Sequence, residues 1–189
     1  MRKDELRKQM RQQKRQFTPQ QLEELSLPII ARLKERLKDA RTILAYYSLP
    51  DEVNTHSLVD ELLAEGKTVL LPKVVDDDTM VICCYTGPHD LQEGVLHLME
   101  PIGEPFTAYE NIDVVIVPGM AFDAQGRRLG RGRGYYDRFL SSLGTVLSES
   151  SDGDSLRTVP SELIGVCFDF QKVPEVPTDA CDIPVDEVI

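Results

Sequence analysis

Much of what this 189-residue chain does is bounded by what it lacks. It has no run of about eighteen apolar residues, so no stretch is long enough for a membrane-spanning helix. The opening MRKDELRKQMRQQKRQ has no apolar core of the kind a secretory signal needs. Asp4, Glu5 and the lack of serine there argue against a mitochondrial presequence. The four cysteines, Cys83, Cys84, Cys167 and Cys181, form no C-x-x-C pair, and His56, His89 and His97 have no ligand spacing. The expectation is therefore a cytoplasmic protein with reduced thiols and no metal cluster, Cys83 and Cys167 lying in apolar runs. No internal repeat is visible.

What is present suits one domain over residues 1–189, long enough to bury a core. The net charge of −11 is unevenly spread. Residues 1–41 hold twelve Lys/Arg against six Asp/Glu, and the rest nine against twenty-six. Five of those nine cations fall in one stretch, RRLGRGRGYYDRFL, residues 127–140. A nucleic-acid footprint spreads positive charge over a surface. Two local clusters in an acidic chain point instead to a pocket for a small polyanion.

Along the chain, residues 2–16 read as a basic helix with a thin apolar stripe of Leu6, Met10 and Phe17. Lys3, Arg7, Arg11 and Lys14 or Arg15 recur at helical steps, which by itself describes a solvated face. Thr18-Pro19 opens a second helix to about Lys38, with Leu22, Leu25, Ile29, Ile30, Leu33 and Leu37 as its buried side and Pro28 as a kink or break. Strands are expected over 42–48, 67–75, 79–85, 112–119 and 162–170, with a short one in the tail and helices over 56–66 and about 134–143. Residues 87–105 show little regular pattern. Segment 144–161 reads as a mobile surface loop. Strands alternating with helices imply an α/β domain of three layers with a mainly parallel sheet.

The quoted stretch follows a buried strand and a Pro-Gly, and it leads into a helix. Ligands of open α/β sheets sit at such strand ends. Gly130, Gly132 and Gly134 let the backbone approach a ligand and point N–H groups at it, and the helix adds its positive end. Arg131 and Arg133 supply bidentate phosphate donors. Asp137 suits Mg²⁺, which links protein to phosphate oxygens. Tyr135 and Tyr136 offer flat faces for a ring. The pattern is neither a P-loop nor a dinucleotide fingerprint. Taken alone, glycines for a tight turn and arginines for solubility would also produce it.

VPGMAFDAQGRRLGRGRGYYDRFL, residues 117–140, closely resembles the signature of the 5-formyltetrahydrofolate cyclo-ligases. KDELRKQMR near the start, LPDEVNT at 49–55, VLLPKV at 69–74 and the terminal DIPVDEVI also resemble that family, in the same order. The resemblance implies a fold related to sugar-phosphate isomerases and CoA transferases. It implies conversion of ATP and 5-formyltetrahydrofolate to ADP, phosphate and 5,10-methenyltetrahydrofolate with Mg²⁺. Lys3 and Arg7 would contact ATP, and Arg128, Leu129, Gly130, Arg131, Gly132, Arg133, Gly134, Tyr135 and Tyr136 would form the ATP floor. Glu52, Gly132, Gly134, Tyr135 and Tyr136 would bind the folate, and Asp137 and Asp182 the metal. Arg131, Arg133 and Lys73 would neutralise charge in phosphoryl transfer, with no nucleophilic Ser or Cys. A monomer acting on two small molecules, with no nucleic acid and no membrane, is expected. Many relatives carry a histidine where this chain has Cys181. The competing readings are an isomerase or CoA transferase on the same fold, and a non-catalytic binder of RNA or folate.

Overall fold

A computed structural model describes residues 1–94, 96–149 and 162–189, with the side chains of 144–149 excepted. Helices α1 (Lys3–Lys14) and α2 (Pro19–Leu37) open the chain. Then follow β1 (Thr42–Leu44), α3 (His56–Ala64), β2 (Thr68–Val74) and β3 (Met80–Cys84). A hairpin of β4 (Leu91–Glu93) and β5 (Met99–Pro101) precedes β6 (Val114–Pro118). A second hairpin, β7 (Ala121–Phe122) and β8 (Arg128–Leu129), leads to α4 (Tyr135–Glu149). Strands β9 (Glu162–Val166) and β10 (Glu187–Val188) close the fold.

The central sheet runs β10-β9-β6-β1-β2-β3. All of its pairings are parallel except β2 with β3. Its inner strands β1, β6 and β9 are buried on both faces, and the side chains alternate between two cores with the period of two that a strand requires. Ile43, Val69, Leu71, Val114, Ile116, Ile164 and Val166 face one core with Leu33, Leu37 and Leu58 of α2 and α3. Leu44, Leu70, Val115, Val117 and Leu163 face the other with Phe139, Leu140 and Leu143 of α4. Helices thus cover both sides of the sheet. Helix α1 packs separately, placing Leu6 and Met10 against Met120, Ala121 and Leu129 of the β7–β8 hairpin. Gly165 leaves room for the buried Phe122 ring: a Cβ there would lie 2.5 Å from it.

The structure departs from the sequence reading in several places. The segment 87–105 holds the β4–β5 hairpin, whose strands are too short to show a period. The 42–48 strand stops at Leu44, because Thr55 Oγ1 donates to the Tyr46 carbonyl and turns the chain away. Helix α2 passes through Pro28 without ending. Its buried stripe is Leu22, Ser26, Ile30, Leu33 and Leu37, which leaves Leu25 exposed beside it. Helix α4 continues to Glu149, through the first part of the loop expected over 144–161; residues 150–161 lie outside the described residues.

Candidate functional site

A cleft of about 370 Å³ opens at the carboxyl ends of β1, β2 and β6. Chain order in the sheet reverses beside β1, with β2 on one side and β6 on the other, and this is where open α/β sheets hold ligands. One wall is apolar: Pro72 and Val74 from β2, Met80 from β3, and Leu96, Leu98 and Met99 from the β4–β5 hairpin. Buried Glu100 ties that hairpin to β2, its Oε1 accepting from the Val74 N–H at 2.9 Å.

The opposite wall is the arginine-glycine stretch and the first turn of α4. Gly132 and Gly134 sit at φ +109° and +72°, conformations that side chains rarely adopt. They bend the chain so that α4 begins in the cleft, the Arg138 N–H closing the first turn on the Gly134 carbonyl at 3.0 Å. Arg128, Gly130, Arg131, Arg133, Gly134, Tyr135, Tyr136 and Asp137 all line the cleft. Two expected residues within this stretch do not, nor do Lys3, Arg7, Lys73 and Asp182 from outside it. Leu129 turns its side chain into the α1 core, and Gly132 lies beside Arg7, whose guanidinium carbon would be 3.5 Å from a Cβ there.

The loop after β1 supplies the carboxylate. Ser48 and Thr55 lock its two ends through reciprocal bonds of 3.1 and 3.0 Å, and the Glu52 N–H donates to the Leu49 carbonyl. Glu52 Oε2 accepts from the Leu49 N–H at 2.9 Å, and Oε1 accepts from Arg131 Nη2 at 2.9 Å and Nε at 3.1 Å. Arg131 Nη2 also donates to Asp51 Oδ1 at 2.7 Å. Burial opposes the charge on Arg131, but Glu52 and Asp51 outweigh it and raise its pKa. Burial likewise works to raise the Asp51 carboxyl, and Lys14 and Arg131 together hold it below the usual range.

Two buried donors on the cleft lining have no hydrogen-bond partner: Arg128 Nε and the Tyr136 hydroxyl. Burial, reinforced by Glu52, pushes the Tyr136 hydroxyl well up, so it keeps its proton. Unsatisfied buried donors are costly, and a ligand rich in acceptors relieves that cost. Arg128 Nη2 donates to Asp137 Oδ1 at 2.7 Å, and the Ile183 N–H reaches the same oxygen at 3.3 Å. Among the described residues no three His, Cys, Asp or Glu gather into a metal-binding group. Asp137 presents a carboxylate beside Arg128 on the cleft lining, and a single carboxylate suits Mg²⁺, which keeps several of its waters. Asp182 is engaged with Lys3 Nζ at 2.5 Å, and Lys3 also meets Asp179 at 2.6 Å. Arg7 Nε donates to the Gly130 carbonyl at 2.9 Å, so α1 does reach the stretch.

Lys73 is placed elsewhere. On β2 it alternates with Pro72 and Val74, so its side chain leaves by the opposite face and lines a second, open depression with Val81 and Cys83. Sequence reasoning missed Tyr46, the Asp51–Lys14 pair and the whole apolar wall. Only Lys14 left a signal: it follows Leu6 and Met10 at four-residue steps, on the buried stripe.

Fold and site together define an α/β protein with a cleft at the carboxyl ends of its sheet, lined by arginines and glycines on one side and by apolar side chains on the other. The model of the 5-formyltetrahydrofolate cyclo-ligase family matches residues 1–189, and the chain belongs to that family of enzymes. It is 29% identical over 188 residues to 5-formyltetrahydrofolate cyclo-ligase of Escherichia coli, covering 95% of each chain. It is 35% identical over 132 residues to that of Mycolicibacterium smegmatis, covering 65% of this chain and 68% of the relative. The NMR structure of Aquifex aeolicus 5,10-methenyltetrahydrofolate synthetase matches with a TM-score of 0.80 at 34% identity, over 100% of this chain and 89% of that one. A 5,10-methenyltetrahydrofolate synthetase from Mycoplasma pneumoniae shares the fold, with a TM-score of 0.74 at 24% identity over 100% of this chain and 98% of that one.

Proposed function

We propose that this chain closes 5-formyltetrahydrofolate to 5,10-methenyltetrahydrofolate at the expense of ATP, with Mg²⁺, as a cytoplasmic monomer that needs neither nucleic acid nor membrane. The proposal extends to the fold, which we class with the sugar-phosphate isomerases and CoA transferases. One observation carries the reading. Glu52 and Arg131, 79 residues apart in sequence, meet across one cleft that is apolar on one side and cationic on the other.

The reaction replaces a poor leaving group, an amide oxygen, by phosphate. The N5-formyl oxygen attacks the γ-phosphate of ATP and ADP leaves. N10 then attacks the activated carbon, and phosphate departs with the formyl oxygen. Phosphoryl transfer asks for positioning and charge neutralisation rather than a protein nucleophile. Arg131 and Arg133 supply that charge, Arg128 and Gly130–Gly134 cradle the phosphates at the start of α4, and Lys3 and Arg7 reach in from α1. Glu52 accepts hydrogen bonds from the pterin edge, while Tyr135 and Tyr136 bound the ring. Asp137, with Asp182 as a second contact, would hold Mg²⁺. The ion neutralises phosphate charge when bound. Holding N10 and the formyl carbon in one molecule favours closure.

The test follows the absorbance of the methenyl product with purified protein, 5-formyltetrahydrofolate and Mg²⁺, with and without ATP. ATP-dependent product is expected from the wild type and not from Arg131→Ala. A protein that binds both ligands and forms no product overturns the reading.

A further inference from the structure

The charges around Arg131 extend beyond the cleft. Helix α1 buries Leu6, Met10 and Lys14, so a lysine occupies a place on the stripe where an apolar residue would pack. Its side chain is only 4% exposed. A buried ammonium persists only when it is paired. Lys14 Nζ meets Asp51 Oδ2 at 3.2 Å, the other oxygen of the same carboxylate meets Arg131 at 2.7 Å, and Arg131 continues to Glu52. Four alternating charges, Lys14, Asp51, Arg131 and Glu52, therefore run from the underside of α1 into the cleft and sum to zero.

We propose that Lys14 and Asp51 are positioning residues that hold Arg131 in place when Glu52 is given over to substrate. The inference rests on reading the cleft as a site for ATP and a reduced folate. Glu52 Oε1 cannot serve both Arg131 and the donors of a pterin. Once substrate takes that oxygen, Asp51 is the carboxylate left to Arg131. Lys14 fixes one oxygen of Asp51 and so aims the other at the guanidinium. It also draws off part of the carboxylate's charge, which keeps Arg131 available to phosphate. Without Lys14, Asp51 is free to close on Arg131 with both oxygens and withdraw it from the nucleotide.

The experiment is a double-mutant cycle read by titration calorimetry from affinity for ATP, as a non-hydrolysable analogue, with 5-formyltetrahydrofolate at saturation so that Glu52 is occupied, using wild type, Lys14→Met, Arg131→Ala and the double variant, each shown to be folded by its melting transition. Lys14→Met is expected to weaken ATP binding about tenfold, the scale of one charge-assisted hydrogen bond. In the Arg131→Ala background the same change is expected to cost less than about twofold, because a residue that acts through another has nothing left to act on. Lys14→Arg is expected to restore wild-type affinity. Equal losses in both backgrounds, or no loss in either, overturn the proposal. Should Lys14→Met not fold, Lys14→Gln takes its place in the cycle. A wild type that binds ATP without making methenyl product overturns the cyclisation reading and leaves the cycle to judge the network. A wild type that does not bind ATP overturns both.

Discussion

The two walls of the cleft differ in how the chain builds them. The cationic wall comes from eleven consecutive positions, Arg128 to Arg138, shaped by two glycines with positive φ and the start of one helix. The apolar wall is assembled from six residues on two strands and a hairpin, brought together by sheet pairing and by the Glu100 bond to Val74. A local wall is set by backbone conformation and charge. A dispersed wall is set by packing. The first should fail sharply when one residue changes, and the second should yield gradually.

The sharpest break is Arg131→Ala, expected to lower kcat/KM by about 10²- to 10³-fold, the scale of removing one donor aimed at developing charge. Steady-state assays at saturating Mg²⁺ check it, and a loss under tenfold would place the chemistry away from this residue. Next is Gly132→Ala. A Cβ has space there, but φ +109° costs on the order of 1–3 kcal/mol for a side-chain-bearing residue. ATP affinity is expected to fall about tenfold with folate affinity little changed. Equal loss of both would mean that the two walls are not independent.

On the other wall, Leu98→Ala is expected to raise KM for 5-formyltetrahydrofolate up to about tenfold with kcat unchanged, as a loss of apolar contact does. A drop in kcat instead would make that wall part of the chemistry. The smallest effect is on stability. Asp51 and Asp182 have pKa values below the ordinary carboxylate range in the folded protein. For Asp182, burial opposes this shift, and the Lys3 bond and the Asp179 N–H overcome it. Groups depressed on folding add stability above their unfolded pKa, about 4, and lose it as pH falls through the folded value. The melting temperature is therefore expected to fall below about pH 4, with a shallower fall in Asp51→Asn. Identical slopes would remove Asp51 from the acid response.

The sequence reading succeeded and failed along the same division. The glycine-arginine stretch was legible as a cationic turn into a helix because the conformational and charge requirements of its adjacent residues are local. Helices α1 to α4 and the parallel strands followed from period and caps. Leu25 was misplaced because an apolar residue beside the stripe looks the same in sequence as one on it. Lys73 looked suitable by composition, but the register of β2 turned it to the opposite face. The hairpin at 91–101 was invisible, since three-residue strands have no period to detect.

By itself, then, the sequence determined an α/β domain, a cationic turn at the head of a helix and the family resemblance, all of which depend on neighbours in the chain. The tertiary structure alone decided that Glu52 meets Arg131, that Lys14 is buried behind Asp51, and that Leu98 and Met99 face the arginines. Those outcomes depend on which strands pair and in what register. Long-range pairing of that kind is governed by the summed burial of the whole core rather than by any short run of residues.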